Sequence, residues 1–199
     1  MSLGALADRG LADGPLMVLQ AMPEPIRRTA LPLAGRPIAS QRWSDLTFLH
    51  WRVDPDVVAV TRTVAFAKPD VVVVLDRVQL RENPARLDVR FFPDNQDGHA
   101  VLDVEGARFV LRRPGARLHG LAAARTAVAV AAHRLDLPPD MGAFPFVEVT
   151  SPPARMHEVV TLLAARPSGE DALPALSVQQ TTTGWRFDVA GVRGVLATE

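Results

Sequence analysis

The residues best equipped for chemistry in this chain are arginines. Arg108, Arg112, Arg113, Arg117 and Arg125 fall between positions 107 and 125 with no acidic residue among them. Guanidinium groups fork onto carboxylate and sulfate oxygens two bonds at a time. The segment therefore reads either as an anion-binding strip or as a solvated sheet face whose acids come from elsewhere in the fold. Trp43, Trp51 and Trp185 offer flat rings on which a sugar can stack, yet tryptophan is also highly buried on average. The candidate substrate-binding residues are Arg108, Arg112, Arg113, Arg117 and Trp51.

Five histidines are present, at 50, 99, 119, 133 and 157. No two stand at metal-ligand spacing, so a metal site would need distant strands to converge. His50 beside Trp51 is either a candidate ligand or a half-buried strand histidine packed on an aromatic ring. His157, next to Glu158 and ahead of an apolar strand, is expected at the surface. Asp70 and Asp76 bracket the apolar run VVVVL. Paired carboxylates can do acid/base work. The plainer reading makes Asp70 a turn residue and pairs Asp76 with Arg77 or Arg62 where the strand meets solvent. The chain has no Gly-rich phosphate loop, G-x-S-x-G, H-E-x-x-H, C-x-x-C or N-x-S/T sequon.

The elements that must position these residues are strands. In VVAVTRTVAFA (57–67), Val58, Val60, Val64 and Phe66 share one side, and Ala59, Thr61, Thr63 and Ala65 the other. That period of two predicts a strand with one buried face. Lys68-Pro69-Asp70 stops it in a turn. Val71–Leu75 is apolar on both faces and predicts an inner strand. Strands are also expected at 46–53, 87–92, 100–104 and 108–112 around the Glu105-Gly106 turn. More follow at 146–150, 159–164 and 176–181, then at 185–189 and 192–197 around Ala190-Gly191. Residues 121–132 are alanine-rich, which favours helix, but the Thr126, Val128, Val130 alternation favours a strand. Short strands with turn signals at regular spacing predict an all-β fold, an antiparallel β-sandwich or barrel. Prolines break up the first 40 residues, giving an irregular N-terminal arm at 1–40 and a sandwich domain at 41–199.

Composition narrows the function. At 199 residues and 48% hydrophobic, the chain can bury a real core. Its 22 basic and 22 acidic residues balance, which argues against a general nucleic-acid or membrane-surface binder. Without cysteine there is no disulfide or thiolate metal site, and without tyrosine one common general acid/base is missing. No apolar run approaches a membrane span, and Asp8, Arg9 and Asp13 interrupt any signal-peptide core. The chain as written reads as cytoplasmic.

Two resemblances add to this. The run VTRTVAFAKPDVVVVLDRV, followed by LDVRFFPD, ARFVLRRPGARL and VVTLLAARP, resembles the C-terminal β-sandwich of heparinase II/III-type polysaccharide lyases over about 60–167. That family implies a sandwich following an α/α toroid and β-elimination of uronic-acid polysaccharides. The toroid and its catalytic tyrosine have no counterpart in this sequence. The family's sandwich metal site, of histidines and an aspartate, implies a divalent metal for which His50 with Asp70 or Asp76 are the matching positions. Phe92-Pro93 stands where a further histidine is expected. A longer secreted lyase would place the domain in the periplasm. Separately, QRWSDLTFLHWRVDPDVVA (41–59) resembles an uncharacterised bacterial family related to acetoacetate decarboxylase, which implies a closed barrel with Arg42, Trp43, His50 and Trp51 near a cavity. The leading expectation is an accessory β-sandwich that handles acidic polysaccharide and is not catalytic alone. The alternatives are a ligand-pocket protein or enzyme of the decarboxylase-related type, and a structural domain forming homo-oligomers through its sheet edges.

Overall fold

A computed structural model describes residues 57–197 apart from 68, 96, 136–142 and 171, together with the backbone of the strands at 27–33 and 36–43. The expected strand at 46–53, and with it His50 and Trp51, lies outside the described residues. Fourteen antiparallel strands are described and no helix. The all-β expectation is met.

The strands run β1 (Arg27–Leu33), β2 (Arg36–Trp43), β3 (Val57–Ala67), β4 (Val71–Leu80), β5 (Ala85–Phe91), β6 (Val101–Glu105) and β7 (Arg108–Arg113). They continue with β8 (Ala116–Ala124), β9 (Ala129–Arg134), β10 (Pro145–Ala154), β11 (Met156–Pro167), β12 (Leu176–Thr181), β13 (Gly184–Val189) and β14 (Val192–Ala197). One sheet has eight strands in the order β1-β2-β3-β4-β11-β8-β7-β6. Two smaller sheets follow the orders β5-β10-β9 and β12-β13-β14. All three orders are linear, so none of these sheets closes into the barrel that the 41–59 resemblance implied. Strands β1 and β2 pair with each other, and β2 pairs with β3, so part of the stretch read as an irregular arm contributes two strands to the large sheet.

The large sheet is covered on both faces. On one face Ala65, Ala67, Val71, Val73, Leu75, Val160, Leu162 and Ala164 pack against Leu176, Trp185, Phe187, Val189, Val192 and Leu196 of the β12–β14 sheet. On the other, Val60, Val78, Leu80, Phe109, Ala122 and Val159 pack against Leu87, Val89, Val147 and Val149 of β5 and β10. Strand β4 therefore reads apolar on both sides because both sides are buried, as its sequence implied. The single buried face expected for β3 is corrected on the same ground. Ala65 and Ala67 point to the β12–β14 layer and are fully buried, whereas Val58 is 51% exposed. A register shift between Val57 and Ala59 takes Val58 out of the alternation.

Local chemistry fixes the turns. Ala190 (φ 50) and Gly191 (φ 84) both adopt positive φ, the geometry of a two-residue type I′ hairpin between β13 and β14. The β8 stretch Ala116–Leu121 was not legible as a strand. Its Gly120 has a packing cause: a Cβ there would come within 2.1 Å of the Phe109 ring, which lies across it from β7. Residues 121–132 are extended, split between the end of β8 and β9.

Candidate functional site

Strand pairing sorts the arginines. Arg112 lies directly opposite Arg117, and Arg117 directly opposite Arg166. The three form a row across β7, β8 and β11. By alternation it lies on the face that packs against β12–β14, beyond the end of that core. Arg108 shares this face and donates from Nη2 to the Leu176 carbonyl at 3.1 Å, tying β7 to the start of β12. Arg113 is one residue out of step and points to the opposite face, where it pairs with Asp97 and the Asp94 carbonyl. The five-arginine segment is thus not one cluster. Arg125 sits at the far end of β8, bound to Glu158.

Like charges directly opposite each other on a sheet are unfavourable, and rim residues meet the row. Arg112 pairs with Asp103. Arg166 pairs with Asp70 and, at 3.7 Å, with Glu170. Arg117 donates to the Glu170 carbonyl at 3.5 Å. Behind the row lies His119, buried and with Nε2 lacking a hydrogen-bond partner. Burial, and then the charges of Arg117 and Arg166, hold its imidazole below the ordinary histidine range. A neutral histidine among guanidinium groups leaves the strip cationic without adding another charge.

The expected metal position involves His50, which lies outside the described residues. Asp70 is committed to Arg166. Among the described residues no three histidines, aspartates or glutamates come together as ligands. Asp76 does pair with Arg62, through two bonds of 2.5 and 3.0 Å, but it does so in the interior rather than at solvent. Burial lifts its carboxyl above the ordinary range against the downward pull of Arg62. His157 corrects its surface expectation in the same way, and its neighbour Glu158 is buried with it, each being 2% exposed. Both lie on β11, the strand that lines both cores. His157 contacts Ser151 Oγ at 3.1 Å and the Ala85 carbonyl at 2.9 Å. Glu158 takes Arg77 at 3.3 Å, Arg125, and the Trp185 indole N–H at 3.2 Å. Trp185 is thereby a core residue and not a stacking platform.

Sequence reasoning missed Arg166. It is far from 107–125 along the chain, and only the β8–β11 register brings it opposite Arg117. No local signal marks it.

No family model matches the chain, and no curated protein does. Solved structures do match. Heparan sulfate lyase HepC from Pedobacter heparinus aligns over 86% of this chain and 27% of its own, with TM-score 0.61 and 13% identity. The BT4657 gene product, a heparinase III, aligns over 81% and 25%, with TM-score 0.61 and 11% identity. A further heparinase III structure aligns over 90% and 29%, with TM-score 0.60 and 11% identity. The fold resembles one domain of heparinase III-type chains. This chain spans about a quarter of the length of those structures, and at such identity the likeness is one of fold. No helix among the described residues is long and apolar enough to cross a membrane.

Proposed function

We propose that this chain is an accessory β-domain of the polysaccharide-lyase type that binds acidic polysaccharide, or supports its handling, without catalysing its cleavage. The observation that carries the reading is the domain-level likeness to heparinase III structures across 81–90% of this chain. The arginine row supplies fitting chemistry. Arg112, Arg117 and Arg166 stand on neighbouring strands, about 4.8 Å apart at the backbone. They present forked donors to carboxylate or sulfate groups repeated along a polymer.

Calorimetric titration with heparin, hyaluronan and alginate at low salt tests it. Binding that weakens as salt screens the charges is expected, with no rise in unsaturated-uronate absorbance. No binding at millimolar ligand ends the binding reading. Absorbance growth on incubation ends the non-catalytic one.

A further inference from the structure

A second polar feature lies beyond the opposite, Glu158 end of the arginine row's strands, where the small sheet ends. There Arg125, Gln179, Gln180, Thr181, Thr182 and Arg186 line an open groove of about 620 Å³ around the β12–β13 turn. The distance from the row is roughly 25 Å along β11, from Glu158 to Arg166, at about 3.3 Å per residue. The groove is built by register. Gln179 lies opposite Arg186 on the outward side of the small sheet, and Gln180 lies opposite the buried Trp185. Arg125 is anchored, because its Nε and the Trp185 indole N–H share one oxygen of the buried Glu158.

The rest of the lining is uncommitted. Among the described residues, the side chains of Gln179, Gln180, Thr182 and Arg186 make no hydrogen bond or ion pair, and Thr181 Oγ1 is buried without a partner. Thr181 Oγ1 lies behind the wall, out of reach of solvent. Two amides, the Thr182 hydroxyl and two guanidinium groups line the opening, and no aromatic side chain is among them. A bare inorganic anion would engage the arginines and leave the amides idle. A ligand that combines an acidic group with several hydroxyls uses the whole set.

We propose that this groove is a separate binding site for an acidic sugar unit, with Arg186 and Arg125 on its carboxylate or sulfate and Gln179, Gln180 and Thr182 on its hydroxyls. The proposal rests on the polysaccharide reading for its ligand class and adds a location that reading does not contain. A polymer long enough to reach both the groove and the arginine row gains affinity through the linkage of the two sites.

The test is titration of the full chain with a heparin-derived tetrasaccharide, followed by calorimetry and amide chemical shifts. The wild type is expected to bind, with shifts at 179–182 and 186. Arg186→Glu is expected to weaken binding roughly tenfold or more, the scale of a lost charge-assisted hydrogen bond, and to abolish those shifts. Gln179→Ala, a change on an exposed side chain, gives a second reading with melting curves as the folding control; it weakens binding to a smaller degree. Cellotetraose, which is neutral, is expected not to bind, and equal affinity for it overturns the acidic assignment. If the wild type binds but residues 179–186 do not respond and both variants match it, the groove proposal falls and the polysaccharide reading stands. If the wild type binds no acidic glycan, both fall.

Discussion

The two ends of one sheet face treat charge in opposite ways. At the Glu158 end, one carboxylate 2% exposed is met by Arg77, Arg125 and the Trp185 N–H. At the Arg117 end, three guanidinium groups line up on adjacent strands, and their acids come from the rim: Asp103, Asp70 and Glu170. The first arrangement holds two layers together, since Glu158 belongs to the large sheet and Trp185 to the small one. The second gathers its charges at the margin of the sheet. Similar residue types thus join two layers in one place and line a sheet margin in another, and the difference lies in who is buried.

The comparison breaks most sharply at Glu158. Glu158→Ala strips the shared acceptor from two arginines and a buried indole, and removing one partner of a buried ionic group is costly because the others stay behind. A loss of about 3 kcal/mol is expected in urea unfolding, and a loss below about 0.5 kcal/mol would show that the cluster does not join the layers.

A smaller effect is expected at His119, and it depends on pH. Its folded-state pKa lies below its unfolded value near 6.5. The stability it contributes is therefore fully present above about pH 6.5 and is lost as pH falls toward the lowered value. His119→Gln should flatten that acid-side loss in unfolding curves taken between about pH 7.5 and 5. An unchanged slope would mean that neither burial nor the neighbouring guanidinium groups lower the imidazole.

The smallest effect is expected at the row itself. Arg117→Ala removes a cation flanked by two others, so stability should move by no more than about 0.5 kcal/mol, and upward if repulsion dominates. Glycan affinity should fall all the same. A large destabilisation would make the row a structural device like the Glu158 cluster.

Much of the fold was legible from period and punctuation. The hairpin at 57–80, the β6–β7 and β13–β14 hairpins and the inner character of β4 all follow from local pattern, since a strand's faces repeat every two residues wherever it ends up. Legibility ended where partners from afar decide. Nothing local says that Ala65 is covered, because the sheet that covers it comes more than a hundred positions later in the chain. His157 and Glu158 look like surface residues until β12–β14 and β5–β10 close over them. The arginines were visible as a group, but alternation sends Arg113 to the other side and register recruits Arg166. The groove was invisible, since Gln179–Thr182 reads as an ordinary polar strand end.

Strand β11 gives its even-numbered residues Val160, Leu162 and Ala164 to one apolar interior and odd-numbered Val159 to the other. Neither interior can come apart while the other survives, for each would have to pull the same strand with it. Three separate sheets would melt stepwise, but a backbone element held in common couples these. Heating should therefore yield one sharp transition, with the amides of β4 and β11 the last to exchange with solvent.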